Sequence, residues 1–152
     1  MELASRIAMR NKGNTYTNPH VGAIIVKNGI ILSRGWTGKL GVPHAEIDAI
    51  NKIKNKKILE GSSLYCTLEP CSHYGKTPPC VDQILKNKIK HVYIAGLDKN
   101  SLVNGAGVKK LRNNNVIVKV IKNEKSSYDN KIFINVKNKK KYFITLKIAS
   151  SA

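Results

Sequence analysis

One imidazole and two thiols, from His44, Cys71 and Cys80, make the strongest chemical pattern in this chain. Zinc is held by such ligands, and three of them leave the fourth tetrahedral position for water. Structural zinc sites fill all four positions, so an open one is the catalytic arrangement. Two thiolates and an imidazole suit zinc, although iron can take the same set. Glu46 follows His44 by two residues, too close to act as a second ligand but well placed beside the water. One zinc per chain would lower that water's pKa to about 7. A neighbouring carboxylate could then take its proton and return it to a ring nitrogen and a departing amine.

The elements that must position these residues can be read from the apolar pattern. Residues 2–12 set Leu3, Ile7 and Ala8 on one face, predicting a first helix that ends near Gly13. VGAIIV and IILSRGW flank Lys27-Asn28-Gly29, and Asn-Gly between two apolar runs predicts a hairpin. A helix is expected from Ala45 through Ile53, stopping before Gly61, and SLYCTLE, HVYIAGL and VIVKVI read as further strands. Glu69-Pro70-Cys71 reads as the start of another helix, with CVDQILKNKI and GVKKLRNNN as later ones. Residues 127–140 are expected to form a helix and residues 142–150 a sixth strand. Strands alternating with helices at these lengths predict an α/β sandwich with an initial hairpin and later parallel strands.

Other candidate groups have simpler readings. Cys66 lies mid-strand and reads as a buried core cysteine. His20 and His91 read as turn and strand-end residues, and Glu69 and Asp98 as caps. With three cysteines, an odd number, a disulfide scaffold is not expected. No run approaches the ~20 apolar residues of a membrane span, and no signal-peptide layout opens the chain, so a cytoplasmic protein is expected. The net charge of +18 comes mostly from lysines spread through every segment, with arginine only at positions 6, 10, 34 and 112. Scarce arginine argues against a nucleic-acid surface and for compositional drift.

His-x-Glu followed by Pro-Cys and a second cysteine is the layout of zinc deaminases, which usually have two residues between the cysteines. Here eight residues separate them. The run Thr67 to Cys80 (TLEPCSHYGKTPPC) resembles one family closely, the pyrimidine deaminases of riboflavin biosynthesis. These form the N-terminal half of the bifunctional deaminase–reductase RibD. Asn18-Pro19-His20-Val21-Gly22, Gly41 to Glu46 and the loop Asp98 to Gly107 are similar to the same family in order. The resemblance implies a three-layer α-β-α, cytidine deaminase-like sandwich with a mixed five-stranded sheet. It implies loss of the 2-amino group of 2,5-diamino-6-ribosylamino-4(3H)-pyrimidinone 5′-phosphate as ammonia.

By the same resemblance His44, Cys71 and Cys80 hold the metal, Glu46 moves the proton, and Asn18, His73 and Lys76 contact the substrate. Lys76 suits a phosphate dianion, because the loop between the cysteines must lie beside the metal. The chain departs from the family at Thr37, where many members carry histidine, and at Lys99 and Ser101, where they carry proline. Its last strand resembles the first strand of the reductase half, with no glycine-rich nucleotide-binding unit after it. A deaminase domain over 1–148 is therefore expected, with 149–152 where a reductase domain would begin and a separate reductase as partner. Pairing into a homodimer is also implied. Two other readings compete: a tRNA adenosine or cytidine deaminase, and a non-enzymatic zinc-stabilised binding module.

Overall fold

The computed structural model describes residues 1–16, 18–75, 77–98 and 104–121. The helix expected over 127–140, the sixth strand, the domain boundary at 148, Lys76, Lys99 and Ser101 all lie outside the described residues.

Five strands form one mixed sheet: β1 (Gly22–Lys27), β2 (Ile30–Trp36), β3 (Ser63–Cys66), β4 (His91–Ile94) and β5 (Ile117–Val120), in the order β2-β1-β3-β4-β5. The first two make the expected hairpin, with Lys27 opposite Ile30. Asn28 and Gly29 both take positive φ, 50° and 76°, as the tight primed turn requires. β3 runs antiparallel to β1, and β4 and β5 are parallel to β3.

The strand alternation divides the core between two faces. Ala23, Ile25, Leu64, Cys66, Val92 and Ile94 point to the larger side. There they meet three helices: α2 (Ala45–Asn51), α3 (Cys80–Lys86) and α4 (Ala106–Asn113). Ile24 faces the opposite side, where α1 (Glu2–Ala8) packs Ala4 and Ile7 onto it. Tyr65 stacks on Tyr93 on that side, with ring centroids 4.6 Å apart. The result is the three-layer α-β-α sandwich with a mixed five-stranded sheet. No helix among the described residues is long and apolar enough to cross a membrane.

Three local expectations need correction. In α1 the buried residues are Ala4, Ser5, Ile7 and Ala8, whereas Leu3 is exposed. The helix covers only the β1–β2 side of its face, so the inward stripe is too narrow to include Leu3. α2 ends at Asn51 rather than continuing towards Gly61. There Lys56 donates to the carbonyls of Ile50 and Ile53, and Asn55 accepts from Lys57 N to start a short 3-10 turn over Lys56–Leu59. Ile53 remains buried without being helical.

The third correction concerns the first cysteine. Glu69-Pro70-Cys71 does not open a helix: residues 67–75 and 77–79 are irregular, and the helix begins at Cys80. Gly75, Pro78 and Pro79 follow Cys71 too soon for helical turns to propagate.

Candidate active site

The site is built where β1, β3 and two helix starts meet. His44 is the residue before α2, with extended backbone (φ −66°, ψ 154°), and its carbonyl accepts from Asp48 N at 2.9 Å. Glu46 lies in the first turn of α2 and is buried. Cys71 lies beyond β3, after the buried stretch Thr67–Pro70. Cys80 is the first residue of α3, and its backbone N donates to Cys71 Sγ at 3.3 Å. Val81 N also donates to the Cys71 carbonyl at 3.2 Å, closing the neck of the loop between the two cysteines.

Three side chains from separate segments therefore converge. His44 Nδ1 lies 3.5 Å from Cys71 Sγ and 3.3 Å from Cys80 Sγ. All three donor atoms fall within 4.8 Å of one another. Tetrahedral zinc with ordinary Zn–S and Zn–N bonds would hold N and S about 3.6 Å apart, so the donor set fits that ion. Among the described residues this is the one histidine, cysteine and carboxylate group able to hold a metal.

The electrostatics follow from crowding these groups together. The Cys71 thiol is pulled well below its ordinary value, first by the hydrogen bond from the Cys80 thiol and then by His44. Cys80 moves the opposite way, because it keeps the proton it shares with Cys71 and is buried. One thiolate is thus available beside an imidazole whose pKa is raised by its bond to Cys71. Burial pushes the Glu46 carboxyl up to about 7, against the lowering effect of His44. A carboxyl near that value can both accept and return a proton at neutral pH.

A cavity of about 280 Å³ opens over these residues. Asn18, His73 and Asp98 line it together with His44, Glu46 and Cys71. The Asn18 amide nitrogen donates to the carbonyls of Thr15 and Leu40, both at 3.3 Å, which aims its oxygen elsewhere as an acceptor. His73 is exposed at the rim. Of the site residues expected from sequence, the structure brings together His44, Glu46, Cys71, Cys80, Asn18 and His73.

The other candidates sort as structural residues. Cys66 is fully buried, and burial followed by Glu46 raises its thiol far above the ordinary value. His20 Nε2 accepts from Gly13 N at 3.3 Å and ties the turn after α1 to the strand entrance. Thr37 had been noticed only as a departure, yet it lines the cavity and is buried. Its hydroxyl accepts from Val21 N at 3.0 Å and donates to the Pro19 carbonyl at 3.1 Å, holding the segment that carries Asn18. Glu69 also lines the cavity, and its carboxylate caps a helix remote in sequence.

Residues 1–96 match the family described as the cytidine and deoxycytidylate deaminase zinc-binding region. The chain belongs to that family. Among its deaminase relatives, the diaminohydroxyphosphoribosylamino-pyrimidine deaminase of Buchnera aphidicola subsp. Schizaphis graminum is 45% identical over 79% of this chain and 80% of that protein. The riboflavin biosynthesis protein RibD of Aquifex aeolicus is 43% identical over 99% of this chain and 42% of its own length. The chain spans about two fifths of such RibD relatives.

The solved structure of Acinetobacter baumannii RibD superposes with a TM-score of 0.84 at 37% identity, covering 89% of this chain and 38% of that one. A Thermotoga maritima protein named as a deaminase and uracil reductase gives 0.83 at 40% identity, over 94% and 41%. The chain is thus similar along nearly its whole length to proteins named for riboflavin biosynthesis.

Proposed function

We propose that this deaminase-family chain hydrolyses 2,5-diamino-6-ribosylamino-4(3H)-pyrimidinone 5′-phosphate to 5-amino-6-ribosylaminouracil 5′-phosphate and ammonia. The observation that carries the reading is the convergence of His44, Cys71 and Cys80 beside a buried Glu46, under a cavity lined by Asn18 and His73. The relatives named for this deamination support the choice of substrate.

His44, Cys71 and Cys80 are the residues that hold zinc in this account. Bound there, the ion would supply Lewis acidity and lower the pKa of a coordinated water to about 7. Glu46 is placed to accept one proton as a water oxygen adds to the amine-bearing ring carbon and to pass it to the adjacent ring nitrogen. It then carries the second proton, from the new hydroxyl, to the amine as the C–N bond breaks and ammonia leaves. Its carboxyl, raised to about 7 by burial, is matched to carrying a proton both ways.

Asn18, with its amide nitrogen committed to two backbone carbonyls, offers its oxygen to an N–H or amino group of the pyrimidine. His73, on the loop between the cysteines, faces the ribose or phosphate. Lys76, on the same loop, pairs with the phosphate dianion. A reductase consumes the product, and the chain works as a cytoplasmic homodimer.

A zinc-stabilised binding module has no use for Glu46, because a structural site needs a fourth ligand in place of an open position. The test is a paired assay of ammonia release from the diaminopyrimidine ribotide and from adenosine in tRNA. Release from the ribotide alone is expected; activity confined to tRNA would overturn the substrate assignment.

A further inference from the structure

Glu69 stands two residues before Cys71, and its buried carboxylate accepts three backbone N–H groups from a distant part of the chain. Oε2 takes Asp98 N at 3.2 Å and Gly105 N at 2.9 Å; Oε1 takes Val108 N at 3.1 Å. Asp98 follows β4, whereas Gly105 and Val108 belong to the start of α4, so one oxygen anchors both ends of the 98–105 segment. The residue before α4 is Gly105, which has no side chain with which to cap the helix. A carboxylate at the positive end of the helix dipole replaces the missing cap.

Among the described residues no lysine or arginine forms an ion pair with Glu69, and the groups that bond its carboxylate are backbone N–H groups. The main chain reinforces the same junction. Glu69 N donates to the Gly96 carbonyl at 3.0 Å. Gly107 lets the first turn of α4 press against Pro70, where a Cβ would collide with the Pro70 carbonyl oxygen. Glu69 and Asp98 both line the cavity, so the bond between them joins two points of its wall.

We propose that Glu69 is a positioning residue for substrate binding: it ties Asp98 of the cavity wall, together with the start of α4, to the loop that carries Cys71. The inference rests on the deaminase reading. A simple helix cap would serve stability alone, whereas a tie between two parts of one cavity must also alter affinity for the molecule inside.

Glu69→Gln separates these roles. Glutamine has nearly the same shape but one acceptor oxygen, so its NH2 would face either Val108 N or the Asp98 and Gly105 pair. Zinc content, kcat and KM for the diaminopyrimidine ribotide are measured for both proteins. The expected result is one equivalent of zinc, kcat within about threefold of the parent and KM raised about tenfold, as for loss of one hydrogen bond to a charged group. Unchanged KM, or loss of zinc, overturns the proposal.

Should the variant fail to fold, the parent protein decides. Adding the product nucleotide should slow amide hydrogen exchange at Asp98 and Gly105 about tenfold, and no slowing overturns the proposal. A parent that releases no ammonia is a failure of the deaminase reading. An active parent with an indifferent Glu69→Gln is a failure of the tie alone.

Discussion

The floor of the cavity and its rim are built in different ways. The floor takes His44 and Cys80 from helix starts and Cys71 from a loop closed by backbone bonds, with Glu46 buried beneath. The rim takes Asn18 from a turn and His73 from an exposed loop, and beside them Thr37 bonds to the backbone of Pro19 and Val21 and Glu69 to that of Asp98, Gly105 and Val108. Groups on rigid elements keep a fixed geometry for bond breaking, whereas groups on loops can be exchanged to suit a substrate. Damage to the floor should therefore abolish the chemistry, and damage to the rim should weaken binding while leaving chemistry in place.

The largest effect should come from the floor. Cys80→Ser should release zinc and lower the rate by about 10⁴-fold or more, taking the proton-transfer contribution of 10²–10⁴ as a minimum. Metal analysis and ammonia release check it, and an active zinc-free variant would erase the distinction between floor and rim. His73→Ala at the rim and Lys76→Ala in the sequence between the two cysteines should each raise KM about 10–100-fold with kcat little changed, since each removes one of the charge-assisted contacts proposed for the substrate. A fall in kcat with constant KM would move those residues into the chemistry.

The smallest effect is expected at Thr37→Val, which keeps the shape but leaves Val21 N without its hydroxyl acceptor. Thermal unfolding should show a loss of about 1–3 kcal/mol, with zinc content unaltered. A loss of zinc there would mean that rim and floor are one unit.

The same contrast explains what could be read from the sequence. Asn28-Gly29 marked the hairpin because few dipeptides accept two positive φ values in succession. His44, Glu46, Cys71 and Cys80 were legible because metal ligands are restricted in type and bracket the strands in order. Misplacing Cys71 at a helix start had a local cause: Pro70-Cys71 and Pro79-Cys80 look alike, and only the second is followed by helical apolar spacing. Glu69 was read as a cap, which it is, but its helix begins 36 residues away and no local pattern names such a partner. Thr37 stood out only against its relatives, since a threonine at a strand end carries no signal until Pro19 and Val21 fold against it.

The central claim is that His44, Cys71 and Cys80 hold the metal while Glu46 moves the proton, and Glu46→Gln addresses both halves at once. Zinc content and ammonia release from the diaminopyrimidine ribotide should be measured on the same preparation. One equivalent of zinc with ammonia release reduced at least about 10²-fold is the predicted result. Loss of the metal, or release within a few-fold of the parent, would contradict the account.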